Sequence, residues 1–330
     1  MAPIPGKTPT ADTPISILLP AHNAAPFVEQ AVRSTLAQTH KRFELLAIDD
    51  GSTDETLQIL NKLAREDDRV RIISHENMGM GRSLNHALGE ARFEWIARMD
   101  ADDVMLPNRL ERQLAFLAAN PGVFLTSALV HYIDESGRTL GRNSSDYTNF
   151  ENIDRMLNTN RPIGFHHPSV MMRKDVVLGA GGYRPEFWPC DDMDLWNRIL
   201  EKYPRGVLVQ PEYLMCYRIH EQSICVSAAR RVCQKEEWVR ECLVCRRQNR
   251  PEPNWEQYQA SLEHAPLLTR LGRTRREWAR TSYKLATLHF SQTRLLRLIP
   301  LLLVAGLLEP RFVLHRLMPQ LRSGARWPAI

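Results

Sequence analysis

A chain of 330 residues that is 43% hydrophobic and 25% charged has the composition of a globular protein of one large or two smaller domains, which excludes whole-chain disorder, collagen and disulfide scaffolds. The formal charge of +5 conceals two unlike parts: residues 221–330 carry 19 Lys+Arg against 9 Asp+Glu, whereas residues 1–220 carry 24 against 29. An acidic first part with aspartate clusters suits a divalent cation, and an Arg-rich tail suits phosphate groups, anionic lipid headgroups or nucleic acid.

Residues 1–14 hold four prolines and little that could pack, and are expected to form a disordered leader. From residue 15, apolar runs of strand length alternate with amphipathic stretches of helix length. Strands are predicted at 15–19, 45–48, 70–74 and 95–99, and helices at 26–37, 53–64, 82–88 and 110–119. This β-α-β-α order predicts an α/β fold on a mostly parallel, doubly wound sheet, whose ligands sit beyond the carboxyl ends of the strands. The alternation is lost after residue 120. There the pattern gives a strand at 123–133, a turn near 135–137, a loop-rich stretch to 168, strands at 169–172 and 215–219, and a helix at 191–202. Beyond residue 227 only helical signals remain, with apolar residues interleaved with Arg. The expected domains are a sheet-bearing one over 15–225, in halves 15–120 and 121–225, and a helical, basic extension over 226–330.

Six cysteines, all between Cys190 and Cys245, read as thiols in a reducing compartment. Cys242 and Cys245 form a C-x-x-C, but no second pair at zinc-site spacing accompanies it. No apolar run reaches 18 residues. The nearest, 298–308, contains Pro300 and Gly306 and is flanked by Arg294, Arg297, Arg311, His315 and Arg316, which suits a membrane interface better than a span.

Three predicted strand ends are polar or acidic and would converge on one crevice: Pro20-Ala21-His22-Asn23, Asp49-Asp50-Gly51-Ser52 and Asp100-Ala101-Asp102-Asp103. The last packs three carboxylates into four residues, which repel unless a cation neutralises them, and hard oxygen ligands suit Mn²⁺ or Mg²⁺ shared with a diphosphate. Ser52 with Glu55 reads as a capping box opening the next helix, while Asp49 and Asp50 precede it and could accept from a base N–H or a ribose hydroxyl. Asp191-Asp192-Met193-Asp194 opens a helix with Leu195, Trp196 and Ile199 following. Such acids serve either as ordinary dipole partners or as a general base whose pKa an apolar wall raises. His220 follows a strand and is either a metal or phosphate contact or an ordinary histidine.

Taken in order, residues 15–23, the 47–54 segment, 77–85, the Asp100-Ala101-Asp102-Asp103 box and Asp191-Asp192-Met193-Asp194-Leu195-Trp196 make the chain resemble a family 2 glycosyltransferase of the GT-A fold over residues 15–225. The resemblance implies a nucleotide-diphosphate-sugar donor, most often a UDP-sugar, a saccharide or lipid-linked saccharide acceptor, and inversion by a single displacement. It also divides the domain into a nucleotide-sugar half (15–120) and an acceptor half (121–225). By that likeness Pro20, His22 and Asn23 line the nucleotide pocket, Asp50 contacts the uracil, and Arg82, Asn85, Asp100 and Ala101 complete the donor site. Asp102 holds the divalent metal, Mn²⁺ or Mg²⁺, with Asp100 and His220 as further ligands. The family usually shows Glu-Asp where this chain has Asp191-Asp192; the second acid is the usual base, which points to Asp192 and leaves Asp191 as its rival.

The basic extension lies outside the resemblance. Arg273, Arg275, Arg276, Arg280, Lys284, Arg294 and Arg297, interleaved with Leu, Trp278 and Tyr283, read as amphipathic helices. Their cationic face either meets an anionic membrane or is merely solvated. The membrane reading makes the protein cytoplasmic and peripheral on the inner face of the membrane. Two rival functions are a sugar-1-phosphate nucleotidyltransferase, which would need a Gly-rich basic loop where residues 20–25 have no Gly, Lys or Arg, and a non-catalytic protein binding an anionic polymer. No nucleic-acid motif is present, so no nucleic-acid partner is expected.

Overall fold

The apolar run ISILLPA forms β1 (Ile15–Ala21), buried along its whole length, as a central strand covered on both faces must be. Around it the chain alternates as the apolar pattern predicts. α1 (Val28–Leu36), β2 (Phe43–Asp50), α2 (Thr56–Glu66), β3 (Val70–His75), α3 (Met80–Glu90) and β4 (Trp95–Arg98) follow in turn. β2 is also buried throughout. Each fully buried Leu or Ile of these strands contributes about 1.5–3 kcal/mol. Next come β5 (Val104–Met105), α4 (Arg109–Ala119), β6 (Leu125–Ile133), β7 (Thr139–Arg142), α5 (Phe150–Leu157), β8 (Met171–Arg173), α6 (Lys174–Gly179), α7 (Asp191–Lys202) and β9 (Val207–Arg218). The chain closes with α8 (Ile224–Ser227), α9 (Ala229–Arg247), α10 (Trp255–Glu263), α11 (Leu267–Ser291) and α12 (Leu295–Leu308). This computed structural model describes residues 8–291 and 294–314. Residues 1–7 of the expected leader, with His315 and Arg316, lie outside that range. Residues 8–14 depart from the expectation of disorder: Pro9 is buried, and a turn is tied by the Thr10 N–H to Thr13 Oγ1 at 2.8 Å.

The sheet order is β3-β2-β1-β4-β8-β6-β9-β5, with β7 on β6. β3, β2, β1 and β4 are mutually parallel, which sets the carboxyl ends of β1, β2 and β4 at one edge. Parallel character stops there. β8 runs antiparallel to β4 and β6, and β5 antiparallel to β9. The sheet is therefore mixed, its doubly wound part confined to the first hundred residues.

Two compact units divide the chain: Met1–Val130, Ser145–Thr159 and Ile163–Tyr217 make the first, and His131–Ser144, Asn160–Pro162 and Arg218–Ile330 the second. The observed division falls at 217/218 instead of the expected 225/226, and the second unit takes in the β7 hairpin. Hydrogen bonds explain this: the Ile219 N–H donates to the Ile133 carbonyl at 2.9 Å, and Arg218 Nη1 donates to the carbonyls of Asp134 and Glu135.

The second unit is otherwise helical, with Tyr283, Ala305 and Val313 packed together with Leu302 and Phe312. Lys235 is buried between Trp238 and Trp255, its ammonium 4.4 and 3.8 Å from the two ring centroids, a stabilising use of a desolvated cation. Cys242 and Cys245 are buried on α9 and form no disulfide. The expected cationic face is mostly consumed internally. Arg275 pairs with Glu309, Arg280 with Glu237, Lys284 with Glu236 and Arg294 with Glu221, while Arg273 meets the Tyr258 hydroxyl. Among the described residues, Arg276 and Arg297 of that series make no ion pair.

Candidate active site

The loops after β1 and β2 are stitched to each other before they can meet any ligand. Asn23 sits at φ 51°, in the left-handed region Asn tolerates, and its Oδ1 accepts from the Thr53 N–H at 2.8 Å while its own N–H donates to Ser52 Oγ at 3.0 Å. This overturns the expected capping box: Ser52 is engaged with Asn23, and no side chain caps α2 from Glu55. Asp54 takes over, accepting from the Thr56 N–H at 2.9 Å and the Ala25 N–H at 3.1 Å. His22 is exposed, with Nδ1 2.9 Å from the Asp50 carbonyl, and Pro20 lies inside β1.

Asp50 is 5% exposed, and its carboxylate accepts from the N–H groups of Met78 and Gly79 at 2.8 and 3.1 Å, with His75 Nδ1 at 3.4 Å. A carboxylate has about four acceptor positions, so capacity for a ligand N–H remains. The close approach of residues 77–79 depends on Gly51 at φ +68°, where an added Cβ would lie 2.5 Å from the Asn77 nitrogen. Gly51→Ala is accordingly expected to lower stability by about 1–3 kcal/mol, read as a reduced denaturation midpoint. An unchanged midpoint would show that the loop yields.

The 77–85 segment divides in role. Arg82 is exposed and makes no side-chain hydrogen bond among the described residues. Asn85 is a different case from the donor-site residue expected: its amide nitrogen donates to the Tyr183 carbonyl at 2.7 Å and its oxygen accepts from the Tyr183 N–H at 2.9 Å. Both ends of the amide are thus committed to a backbone clamp on the Gly181-Gly182 turn.

Beyond β4, Asp100, Asp102 and Asp103 bring one ligand oxygen each within 4.8 Å of one another, with Ala101 buried between them. Three hard oxygens at this spacing fit Mn²⁺ or Mg²⁺. Among the described residues no histidine belongs to this group; His220 lies in the second unit, buried, its N–H donating to Ser223 Oγ at 3.1 Å.

Sequence reasoning passed over Arg98. It is 1% exposed, Nη1 donates to Asp100, and Nη2 lies 3.4 Å from Met80 Sδ. The signal was available, since an arginine inside an otherwise apolar strand must be paired to be buried.

The second acidic group opens α7. Asp194 is spent on Arg184 and Arg198, leaving Asp191 and Asp192. Burial, opposed by the Arg98 charge, pushes Asp191 up to about 6, and its Oδ2 is buried without a hydrogen-bond partner among the described residues. Asp192 is pushed up to about 7, first by burial and then by the charge of Asp191, against the Met193 N–H that it accepts at 2.7 Å. Arg98 lowers both, and Asp100 raises Asp192, so the two acidic groups share one electrostatic neighbourhood. Beside them His167 Nε2 lies 2.8 Å from the Tyr183 hydroxyl, and desolvation, helped by the Arg98 charge, holds this histidine's pKa well below the ordinary value.

Residues 16–178 match the model of the family described as Glycosyl transferase family 2. The O-antigen biosynthesis glycosyltransferase WbnJ of Escherichia coli is 34% identical over 216 residues, covering 65% of this chain and 83% of that one. The amylovoran biosynthesis glycosyltransferase AmsE of Erwinia amylovora is 33% identical over 175 residues, 52% of this chain and 64% of the other. Among solved structures, the mannosyltransferase PcManGT of Pyrobaculum calidifontis, in complex with GDP-Man and Mn²⁺, aligns with a TM-score of 0.57 at 16% identity, over 91% of this chain and 82% of that one. S. aureus TarS 1–349 in complex with UDP aligns with 0.52 at 15% identity, over 94% and 92%. At such identities these two likenesses show the fold, GT-A, alone.

Proposed function

This chain belongs to the family 2 glycosyltransferases, and from that premise we propose that it moves a sugar from a UDP-sugar to a hydroxyl of a saccharide or lipid-linked saccharide, inverting the anomeric carbon, in the synthesis of a surface polysaccharide. The observation that carries the reading is the pair of acidic groups on separate elements of one unit, Asp100-Asp102-Asp103 after β4 and Asp191-Asp192 at the start of α7. The chemistry needs both. Negative charge grows on the departing diphosphate while the acceptor hydroxyl must lose a proton on the opposite face of the sugar. Asp102 and Asp100, with Asp103, would hold a divalent cation, whose contribution when bound is to stabilise the leaving diphosphate. Asp192, with its pKa raised into the working range, takes the acceptor proton through a carboxylate oxygen. Arg98 holds Asp100 in place, and Asp50, His22 and Asn23 shape the nucleotide side.

The same reading places the enzyme peripherally at the cytoplasmic face of an anionic membrane, supported by the excess of Lys and Arg in residues 221–330. No helix among the described residues is long and apolar enough to cross a bilayer.

Calorimetric titration with UDP, UDP-glucose, UDP-N-acetylglucosamine and GDP-mannose, each with Mn²⁺ and again with chelator, tests the donor site. Mn²⁺-dependent binding of UDP and one UDP-sugar is expected. Tight binding of GDP-mannose alone would replace the donor, and binding of none would remove the donor-site assignment.

A further inference from the structure

α12 presents an unusual surface for a helix in water. Leu296, Leu303 and Leu307 are 91%, 61% and 82% exposed, and Ile299 is 53% exposed. Their spacings of three and four residues put them on a single side of the helix. The other side is fastened to the second unit through buried Leu298 and Ala305, the latter in the cluster with Tyr283 and Val313. Single exposed leucines are ordinary, but an aligned row of this kind marks a contact surface. α11 adds Leu268 and Trp278, 83% and 55% exposed.

Charge decides what covers the row. Glu221, Glu236, Glu237 and Glu309 are neutralised by basic residues of the same unit. Arg270, Arg276, Arg297 and Arg311 are exposed and, among the described residues, make no ion pair. An apolar stripe with free guanidinium groups nearby is complementary to one kind of surface, a bilayer with anionic headgroups, where the leucines reach acyl chains and the arginines reach phosphates. Length fixes the orientation. Fourteen residues extend about 21 Å, short of the ~30 Å hydrocarbon core, and Pro300 lies inside the helix.

We propose that α12 lies in the plane of an anionic membrane leaflet, with Leu296, Ile299, Leu303 and Leu307 immersed in the acyl region and Arg297 and Arg311 at the headgroups. This rests on the peripheral-membrane part of the proposed function and replaces its cationic face with an inserted apolar one.

The test is flotation of the full chain with phosphatidylglycerol–phosphatidylcholine vesicles and with phosphatidylcholine alone, at low and high salt. The parent is expected to float with the anionic vesicles. The combined Leu296→Gln, Leu303→Gln and Leu307→Gln variant is expected to partition roughly a hundredfold less, with an unchanged melting temperature and unchanged nucleotide binding. Arg297→Gln with Arg311→Gln should weaken partition several-fold and flatten its salt dependence. Leu303→Trp should gain fluorescence that brominated acyl chains quench, and this single variant decides the matter if the triple variant melts early. If the triple variant floats like the parent and Leu303→Trp is not quenched, the insertion of α12 is wrong while the surface reading survives. A parent that floats with no vesicle sinks both. A parent dimer that the triple variant dissociates would assign the row to a second copy of the chain.

Discussion

Asp192→Asn is expected to bind the donor as the parent does and yet transfer sugar about a hundred- to ten-thousandfold more slowly, the range by which a positioned general base accelerates proton removal. Its pH behaviour follows from burial. The carboxyl is pushed up to about 7 and the reactive form is the deprotonated one, so the parent's kcat should rise with pH to near 7 and level off above it. The variant should show a low, nearly flat profile. Because Asp191 and Asp192 interact, the rise reports the pair, and an equal loss in Asp191→Asn with Asp192→Asn still active would move the base to Asp191.

The same shift has a stability consequence of opposite direction. An aspartate whose folded pKa lies above its unfolded value favours the fold while protonated, and that contribution is lost as pH rises from about 4 through 7. Removing the charge with Asn should therefore raise the melting temperature at pH 8 and leave it little changed at pH 4. An inactive protein that melts later is the pattern of a functional group kept at the expense of stability.

Asp102→Asn is expected to weaken Mn²⁺-dependent UDP binding by about a hundredfold while the melting temperature of the metal-free protein stays within a degree or so, since Asp102 is a partly exposed loop residue. Chelator should reduce the parent to the level of the variant and do nothing further to the variant. Full turnover by chelator-treated parent would remove the metal from the mechanism and leave charge stabilisation to Arg98 and its neighbours.

What could be read in advance was governed by distance along the chain. β1, β2 and β4 were visible because central parallel strands are near-continuous apolar runs, the edge strand β3 through Val70, Ile72 and Ile73, and their helices because they are amphipathic. In the antiparallel half, β6, β8 and the end of β9 were legible as apolar runs at 123–133, 169–172 and 215–219, but β5, two residues long, is too short to show any period, and the antiparallel pairing leaves no mark on a single strand. The acidic clusters were visible because carboxylates directly after an apolar strand are costly without a purpose. Roles set by remote partners were not. Ser52 looked like a cap until Asn23, far away in sequence, claimed it, and the clamp that Asn85 makes on the Tyr183 backbone has no signature in the local sequence. The Arg-rich tail showed its net charge in composition, but the glutamates on α9 that neutralise Arg280 and Lys284 only become partners once the helices pack.

Arg98 carries a consequence for turnover. Its guanidinium is a counter-ion that cannot diffuse away, fixed by the strand beneath Asp100 and bearing on both acidic groups. Were every positive charge in the site exchangeable, its loss to solvent would leave a nest of aspartates repelling one another. With one positive charge built into the wall, the aspartates keep a partner that no exchange of solutes can carry off.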